Sequence, residues 1–387
     1  MLNKSDRIFL LGGHFTPALA VIEELQERGF FDLHWIGTKY SQTNDRHLSA
    51  EYQVIKQKNI TFHSFRAGKL WRKWTLRTLL KAIFNLILIP AGFAHALLLV
   101  LRLRPKIIIS FGGYLALPVV IMGRLAGVRV VTHEQTLSPG LANRIIAVFA
   151  NKILISWTQT AKFFPKNKTI YTGNPIRKEV LRSATNVYNF DSDLPVIYVT
   201  GGNQGANTIN KRLIKILHLL LKKASVIHQT GSSSLTNDFN QALALKQSLP
   251  DELKSRYLVK EHIFGDEIGE VFAKSDLIVS RSGANTITEI LALGKLSILI
   301  PLPWSSGNEQ YRNAEFVATT GFARILKQYD AMPPQELLTA IESGIAQLKL
   351  NQAFNGESME EAAEEARKLV NLKAQIEIVD IIERQFA

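Results

Sequence analysis

The amino-acid sequence predicts an α/β fold class with two Rossmann-like domains in tandem, each built on a parallel β-sheet. Apolar runs alternate with helix-like segments along the 387 residues, as they do in βαβ units. Both halves open with a strand that runs directly into a glycine turn, which is how such domains begin. A chain of this length suits two domains of ordinary size, each with its own hydrophobic core.

Nine apolar runs are predicted to be strands, because each is short and bounded by turn residues or helix-like segments. They are 7–11, 33–36, 107–110, 129–133 and 153–156 in the first half, and 196–200, 225–229, 277–280 and 296–301 in the second. We expect an N-terminal domain over 1–174, a linker over 175–194 and a C-terminal domain over 195–370. A last helix over 371–387 is expected to pack back on the N-terminal domain.

The charge of the chain is uneven along its length. The net charge is +13, and the first half carries the whole excess while the second half is slightly acidic. No acidic residue occurs between Glu51 and Glu134, although thirteen basic residues do. Charge of one sign indicates a polyanionic partner such as nucleic acid, an anionic membrane or a phosphorylated substrate. No recognition motif accompanies it, so we expect no nucleic-acid partner.

The chain contains no cysteine. This excludes disulfides, thiol nucleophiles and cysteine-based zinc sites, and it suits a reducing cytoplasm. The one Asp-x-Asp sequence, at 191–193, falls in the predicted linker and does not follow a strand, so we interpret it as a turn and expect no metal site and no cofactor.

One apolar segment, 82–101, is just long enough to span a bilayer. It contains Asn85, Pro90 and His95, which break a helix or are costly in lipid, so we favour two soluble helices separated at Pro90 and packed on a sheet. Basic residues interleaved with tryptophans come just before it, at Trp71, Arg72, Lys73, Trp74 and Arg77. The pattern favours a surface for an anionic membrane over a basic helix with partly buried tryptophans.

The stretch 276–289, DLIVSRSGANTITE, is the most informative in the chain. A buried strand is predicted to end in Ser282-Gly283 and to open a helix, whose free backbone N–H groups and positive dipole end would face an anion. Glu289 then lies further along the same helix, where a carboxylate could accept both hydroxyls of a ribose. The combination suits a nucleoside diphosphate, and an ordinary βα turn with a solvated Glu is the alternative.

Eight short segments, in order over most of the chain, resemble the MurG-type glycosyltransferases, which join N-acetylglucosamine from UDP to undecaprenyl-pyrophosphoryl-muramyl-pentapeptide. The segments are Gly12-Gly13-His14, Ser110-Phe111-Gly112-Gly113-Tyr114, His133-Glu134-Gln135, Thr172-Gly173-Asn174-Pro175-Ile176-Arg177, Gly201-Gly202-Asn203-Gln204-Gly205, His228-Gln229-Thr230-Gly231, Arg281-Ser282-Gly283-Ala284 with Glu289, and Glu309-Gln310-Tyr311. The chain departs from the family pattern at 9–11 and at Asn203, which makes it a divergent member.

The resemblance implies a GT-B fold, with two Rossmann-like domains facing across a cleft, and it assigns residues to two substrates. The UDP-N-acetylglucosamine donor would be bound by Gly202, Asn203, Gln204, Arg177, Ser282, Gly283, Ala284, Glu289 and Gln310. The undecaprenyl-pyrophosphoryl-linked acceptor would be bound by Gly12, Gly13, Gly112, Gly113 and Tyr114, at the cytoplasmic face of the cell membrane, where the enzyme would be peripheral.

The implied reaction is an inverting transfer, in which an acceptor hydroxyl attacks the anomeric carbon while UDP leaves. Helix N-termini, Ser282 and Arg177 would meet the charge growing on UDP. His14 is the candidate general base, with a purely positioning histidine as the alternative. Glu134 is the second candidate catalytic residue, in binding or orienting the acceptor, and a structural salt bridge to an arginine is the alternative.

Three other functions stay open at this point. The first two keep the fold and change the reaction: a transferase with another lipid acceptor, or a UDP-sugar epimerase. The third is a non-catalytic subunit that binds a UDP-sugar or a lipid.

Overall fold

The computed structural model describes residues 2–40, 48–68, 79–182, 188, 190, 193–202, 205–231, 236–263 and 265–384. The chain forms two compact units, Met1–Pro175 with Leu372–Ala387, and Ile176–Asn371. Each unit is a parallel sheet with helices packed on it. The predicted two-domain α/β fold class is therefore confirmed.

The first unit alternates strands and helices. Its elements are β1 (Ile8–Leu11), α1 (Phe15–Glu27), β2 (Leu33–Gly37), α2 (Ala50–Gln57), β3 (Thr61–Ser64), α3 (Leu79–Leu103), β4 (Ile107–Ser110), α4 (Ala116–Leu125), β5 (Arg129–Glu134), α5 (Leu141–Phe149), β6 (Lys152–Ile155) and β7 (Thr169–Tyr171). Among the described residues these strands form one sheet in the order β3-β2-β1-β4-β5-β6-β7, with every pair parallel.

The second unit repeats the architecture. Its elements are α6 (Lys178–Leu181), β8 (Val196–Thr200), α7 (Asn207–Leu220), β9 (Ser225–Gln229), α8 (Asp238–Ser248), α9 (Asp251–Ser255), β10 (Tyr257–Lys260), α10 (Asp266–Lys274), β11 (Leu277–Ser280), α11 (Ala284–Leu293), β12 (Leu296–Leu299), α12 (Glu309–Ala318), β13 (Ala323–Ile325), α13 (Pro334–Leu350) and α14 (Met359–Lys368). Within the described ranges its sheet has the order β10-β9-β8-β11-β12-β13, again all parallel.

The last helix, α15 (Ala374–Arg384), belongs to the first unit. Ile378, Val379 and Ile382 are fully buried in that unit's core beside Ile22 and Leu25 of α1. Burial of three branched aliphatic side chains on one helix face stabilises the packing of α15 there.

The four strands that the sequence did not predict are the edge strands of the two sheets: β3, β7, β10 and β13. The nine central strands are almost wholly buried, which is why they read as continuous apolar runs. The edge strands are short and partly exposed, and their sequences, such as Thr61–Ser64, mix polar and apolar residues. The edge strands therefore lack the continuous apolar run from which the central strands were predicted.

The prediction of a break at Pro90 is wrong, because α3 is a single helix with Pro90 inside it. Pro90 and Leu86, four residues earlier, both lie on the exposed side, so the carbonyl that loses its partner can be solvated. The other side packs on the sheet through Ala96 and Val100. The window Asn85–Leu103 is long and apolar enough to cross a membrane by length and composition, and 17% of it is buried.

Candidate functional site

Each sheet reverses its winding direction at its first strand, between β1 and β4 in one unit and between β8 and β11 in the other. Doubly wound sheets bind ligands outside the carboxyl ends of the strands at such a point. All four strands end in the turns that the sequence singled out. Each unit therefore has its own candidate ligand site at this point, which we call a half-site.

In the first unit, two glycine turns a hundred residues apart in sequence lie side by side. The N–H of Gly13, after β1, donates to the carbonyl of Gly112, after β4, over 2.9 Å. A Cβ on Gly12, whose φ is +152°, would lie 2.7 Å from Phe111, so the close approach of the two turns depends on glycine there. The predicted acceptor residues Gly12, Gly13, Gly112 and Gly113 are thus brought together.

Glu134, at the end of β5, supports this pair of turns. It is 2% exposed, and its carboxylate accepts from Thr136 N at 2.9 Å, Thr136 Oγ1 at 2.7 Å and Asn143 Nδ2 at 2.6 Å. Asn143 Oδ1 in turn accepts from Gly113 N at 3.0 Å. Burial raises the pKa of the Glu134 carboxyl. Its partners are therefore an amide, a hydroxyl and backbone N–H groups, where the sequence had left a salt bridge to arginine open.

His14 precedes α1 and its side chain makes no capping bond to that helix. Burial lowers the pKa of His14 to about 4, so the imidazole is neutral near pH 7 and can accept a proton. His133, on β5, also has its pKa lowered to about 4, by burial and by the nearby His14. His133 Nε2 lies 2.9 Å from the Gly173 carbonyl, so it carries the proton and donates.

Tyr114 is 41% exposed beside the same turns. Burial of its hydroxyl end and the charge of Glu51 raise the pKa of Tyr114. Glu51 was not predicted as a site residue, yet its Oε1 accepts from Trp35 Nε1 at 2.9 Å and from Thr38 N at 3.1 Å. Burial raises the pKa of Glu51 to about 7. In the sequence, Glu51 stands out only as the last acidic residue before the long basic stretch.

In the second unit, the turn after β8 opens α7. Gly202 N donates to Thr200 Oγ1, and Gly205 N donates to the Gly202 carbonyl, each over 3.0 Å. Gly202 and Gly205 have φ of +78° and +77°, backbone conformations that residues other than glycine rarely adopt. The predicted donor residues Asn203 and Gln204 lie outside the described residues.

The turn after β11 opens α11, with Gly283 as the N-cap and Ala284 as the first helical residue. Its first turn contains no acidic residue, so the N-terminal N–H groups face no competing carboxylate from their own helix. Arg281 joins this turn to the other one, because its Nη2 donates to Thr208 Oγ1 on α7 over 2.8 Å. Burial and nearby Arg212 lower the pKa of Arg281 to about 10.

Ser282 and Gln310, which the sequence assigned to the donor, lie together in the structure. Ser282 is fully buried, and its hydroxyl donates to the Gln310 carbonyl over 2.7 Å. Asn313 Nδ2 donates to the Ser282 carbonyl, and Gln310 Oε1 accepts from Leu302 N, each over 3.0 Å. These bonds fix the loop after β12 against the β11 turn. A ligand there would meet backbone N–H groups and the amide of Gln310 more readily than the Ser282 hydroxyl.

Glu289 lies on α11 and is 6% exposed. Arg177, just before α6, donates through Nη2 to Glu289 Oε1 over 2.9 Å. The sequence assigned both residues to the donor without predicting that they pair. The remaining predicted residues, Trp71, Arg72, Lys73, Trp74 and Arg77, lie outside the described residues.

Two doubly wound units that present glycine turns and helix N-termini at their switch points are typical of the two-domain, nucleotide-sugar-dependent enzymes of GT-B fold. The models of the glycosyltransferase family 28 N-terminal and C-terminal domains match residues 12–155 and 196–372. The chain belongs to glycosyltransferase family 28, and the predicted GT-B fold and glycosyltransferase class are confirmed.

Curated relatives match over most of their length. UDP-N-acetylglucosamine--N-acetylmuramyl-(pentapeptide) pyrophosphoryl-undecaprenol N-acetylglucosamine transferase 2 of Bacillus cereus is 36% identical over 323 residues, covering 82% of this chain and 84% of that protein. A transferase with the same name, but without the final number, from Lachnoclostridium phytofermentans is 32% identical over 344 residues. The match covers 87% of this chain and 89% of that protein. A crystal structure of Acinetobacter baumannii MurG has a TM-score of 0.64 at 24% identity, covering 98% of this chain and 99% of that one, and supports the fold.

Proposed function

We propose that the protein transfers N-acetylglucosamine from UDP-N-acetylglucosamine to an undecaprenyl-pyrophosphoryl-linked N-acetylmuramyl-pentapeptide, a step of peptidoglycan synthesis. The observation that carries the proposal is the pairing of Gly13 with Gly112 at one switch point, matched by glycine turns at the other. Both substrates are diphosphates. The helix N-termini that follow the turns, α1 in the first unit and α11 in the second, offer backbone N–H groups to an anion, whereas the N–H groups of Gly13, Gly112 and Gly113 are already bonded within the first unit. The names of the curated relatives support these two substrates.

The donor is assigned to the second unit. The α11 N-terminus behind Gly283 and the turn at Gly202 would receive the diphosphate, while Glu289 would accept from the ribose hydroxyls. Helix N-termini are already oriented before the reaction, so they can stabilise the charge that grows on UDP as the anomeric C–O bond breaks. Arg281 adds a buried positive charge between the two turns.

The acceptor is assigned to the first unit, with its diphosphate at Gly12–Gly13 and Gly112–Gly113 and its sugar toward Tyr114. The acceptor hydroxyl oxygen forms the new bond to the anomeric carbon from the face opposite UDP, which inverts the configuration. The hydroxyl proton moves to His14, whose imidazole is neutral at pH 7. Glu134 holds the Gly113 turn through Asn143 and does not itself need to take up a proton.

The protein is proposed to act as a peripheral enzyme at the cytoplasmic face of the cell membrane. One row of apolar side chains on α3 is exposed, at Ile83, Ile87, Leu98 and Leu101, while the opposite face packs on the sheet. Arg102 and Arg104 follow it, both exposed. An apolar row flanked by cations fits the surface of an anionic membrane.

The test is incubation of the protein with labelled UDP-N-acetylglucosamine and a short-chain lipid-pyrophosphate muramyl-pentapeptide. Label is expected to enter the lipid product with release of one UDP per transfer. Folded protein that binds UDP but forms no disaccharide lipid would contradict the proposal. Conversion of the UDP-sugar without any acceptor would identify an epimerase instead.

A further inference from the structure

The pair of Arg177 and Glu289 lies where the donor is proposed to bind, yet it does not have the geometry of a diphosphate clamp. Arg177 contacts Glu289 Oε1 through one nitrogen, Nη2, over 2.9 Å. Its Nε is buried and has no hydrogen-bond partner among the described residues. The guanidinium therefore meets the carboxylate end-on, and Oε2 remains available to a ligand.

The position of Glu289 along α11 separates this contact from the diphosphate. The helix begins at Ala284, and Glu289 comes five residues later, at about 1.5 Å of rise per residue. The Cα of Glu289 thus lies about 7.5 Å along the helix axis, or nearly one and a half helix pitches, from the first N–H groups that would receive a phosphate. That separation suits the ribose of a nucleoside diphosphate better than its phosphates.

The two side chains depend on each other electrostatically. Their exposed fractions are 18% for Arg177 and 8% for Glu289, so neither charge is well solvated. Burial opposes the charge on Arg177, but the adjacent Glu289 outweighs it and holds the pKa of the guanidinium above its ordinary value. A buried carboxylate without this cation would lose its ionised form or turn toward water.

We propose that Arg177 is a positioning residue, which orients the Glu289 carboxylate toward the ribose 2′- and 3′-hydroxyls of the donor and does not bind its diphosphate. The inference rests on the proposed UDP-sugar donor and assigns to one residue a role different from the one that the sequence predicted. Arg177 then governs recognition of the ribose, and the helix N-termini govern recognition of the phosphates.

The test is calorimetric binding of UDP and of 2′,3′-dideoxy-UDP to the full-length protein and its variants. The wild type is expected to prefer UDP by about tenfold or more, as for hydrogen bonds to a charged group. In Arg177→Ala, UDP should bind only as tightly as dideoxy-UDP, whose own affinity should be nearly unchanged. Arg177→Ala combined with Glu289→Ala should be no weaker for UDP than Glu289→Ala alone.

A fall of both affinities by the same factor in Arg177→Ala, with the preference for UDP retained, would assign Arg177 to the diphosphate and overturn the inference. Arg177→Lys retains a cation and should keep part of the preference, and it decides the question if the alanine variant does not fold. Arg256→Ala is the matched control, because Arg256 Nη2 also pairs with a glutamate, Glu252, over 2.8 Å in the same unit. Both affinities should stay unchanged there.

Binding is measured without acceptor or turnover, which separates the two claims. Wild-type protein that prefers UDP to dideoxy-UDP but transfers nothing would contradict the proposed function alone. Wild-type protein that transfers the sugar but binds both nucleotides equally would overturn the inference alone.

Discussion

Asn143 donates to Glu134 over 2.6 Å and at the same time accepts from the backbone of Gly113 over 3.0 Å. A buried carboxylate is thereby connected to the turn that would hold the acceptor diphosphate. Hydrogen-bonded groups beneath a site fix the geometry of the groups that touch the ligand, and their loss is felt in binding.

We expect Asn143→Ala to raise the acceptor KM about tenfold or more, because Gly113 loses its partner and Glu134 is left with an unmet buried oxygen. The donor KM should change little, since the donor is assigned to the other unit. Steady-state kinetics with each substrate varied in turn would measure this. An equal rise of both KM values would indicate general destabilisation and contradict the specific role.

Gly112→Ala should destabilise the first unit through two separate effects. Gly112 has φ of +74°, and a Cβ there would lie 2.3 Å from the Asn143 amide. The backbone conformation alone costs about 1–2 kcal/mol for a non-glycine residue, and the displaced Asn143 adds to it. The measurement is the shift in the midpoint of urea unfolding.

Gly127→Ala is the matched control for that substitution. Gly127 has a similar φ of +83°, but a Cβ there would meet nothing within 4 Å. It should therefore show the backbone cost alone and leave the acceptor KM unchanged. Equal losses of stability in the two variants would show that the contact with Asn143 is unimportant.

His14→Ala should lower kcat by about 10²–10⁴ if His14 is the general base. Because the pKa of His14 is lowered to about 4, the wild-type rate should not lose this base as the pH falls from 8 to about 5. The measurement is kcat/KM against pH, with both substrates below saturation. Full turnover by His14→Ala would remove it as the base, and a wild-type rate that declines through pH 6.5 would contradict the low pKa.

The central strands and the glycine turns could be predicted from the sequence because both are local signals. A strand buried on both faces is a run of aliphatic residues, and a turn with positive φ calls for glycine at Gly112 or Gly202. The edge strands could not be predicted, since their exposed faces accept polar residues such as Thr61 and His63.

The hydrogen-bond partners of the site residues could not be predicted from the sequence for a different reason. Arg177 and Glu289 are more than a hundred positions apart, and nothing in the spacing shows that they meet. Ser282 follows a strand in the expected place, but only the packing shows that its hydroxyl is used by Gln310. Residue types predict which chemistry is available, whereas tertiary contacts decide which groups remain for a ligand.

The second unit should lose stability below neutral pH because of His228. This imidazole is fully buried between Tyr257 OH at 2.8 Å and Asn210 Oδ1 at 3.0 Å, and burial lowers its pKa from 6.5 to about 3. Below pH 6.5 the imidazole is protonated in the unfolded chain but stays neutral in the folded unit. The free energy of unfolding is therefore at its full value above that pH and decreases below it.

At pH 5 the loss from this one group is about 2 kcal/mol. In His228→Asn the group is absent, so the stability advantage of the wild type over the variant should shrink by that amount between pH 7.5 and pH 5. Urea unfolding of both proteins at the two pH values is the measurement. An advantage that stays constant with pH would show that His228 is not buried in its neutral form.

The exposed row on α3 should determine membrane binding, and one substitution with a matched control can separate it from general effects of charge. Ile87 on α3 and Leu350 on α13 are each 63% exposed, so a glutamate at either position costs little in folding. Ile87→Glu would place an anion in the apolar row and weaken binding to anionic vesicles about tenfold or more, by loss of apolar burial and by repulsion. Leu350→Glu adds the same charge to the other unit and should bind as the wild type does.

Co-sedimentation with vesicles of neutral and of anionic lipid measures the binding of both variants. Equal weakening by the two variants would mean that net charge governs the association, and α3 would then not be the membrane-binding face.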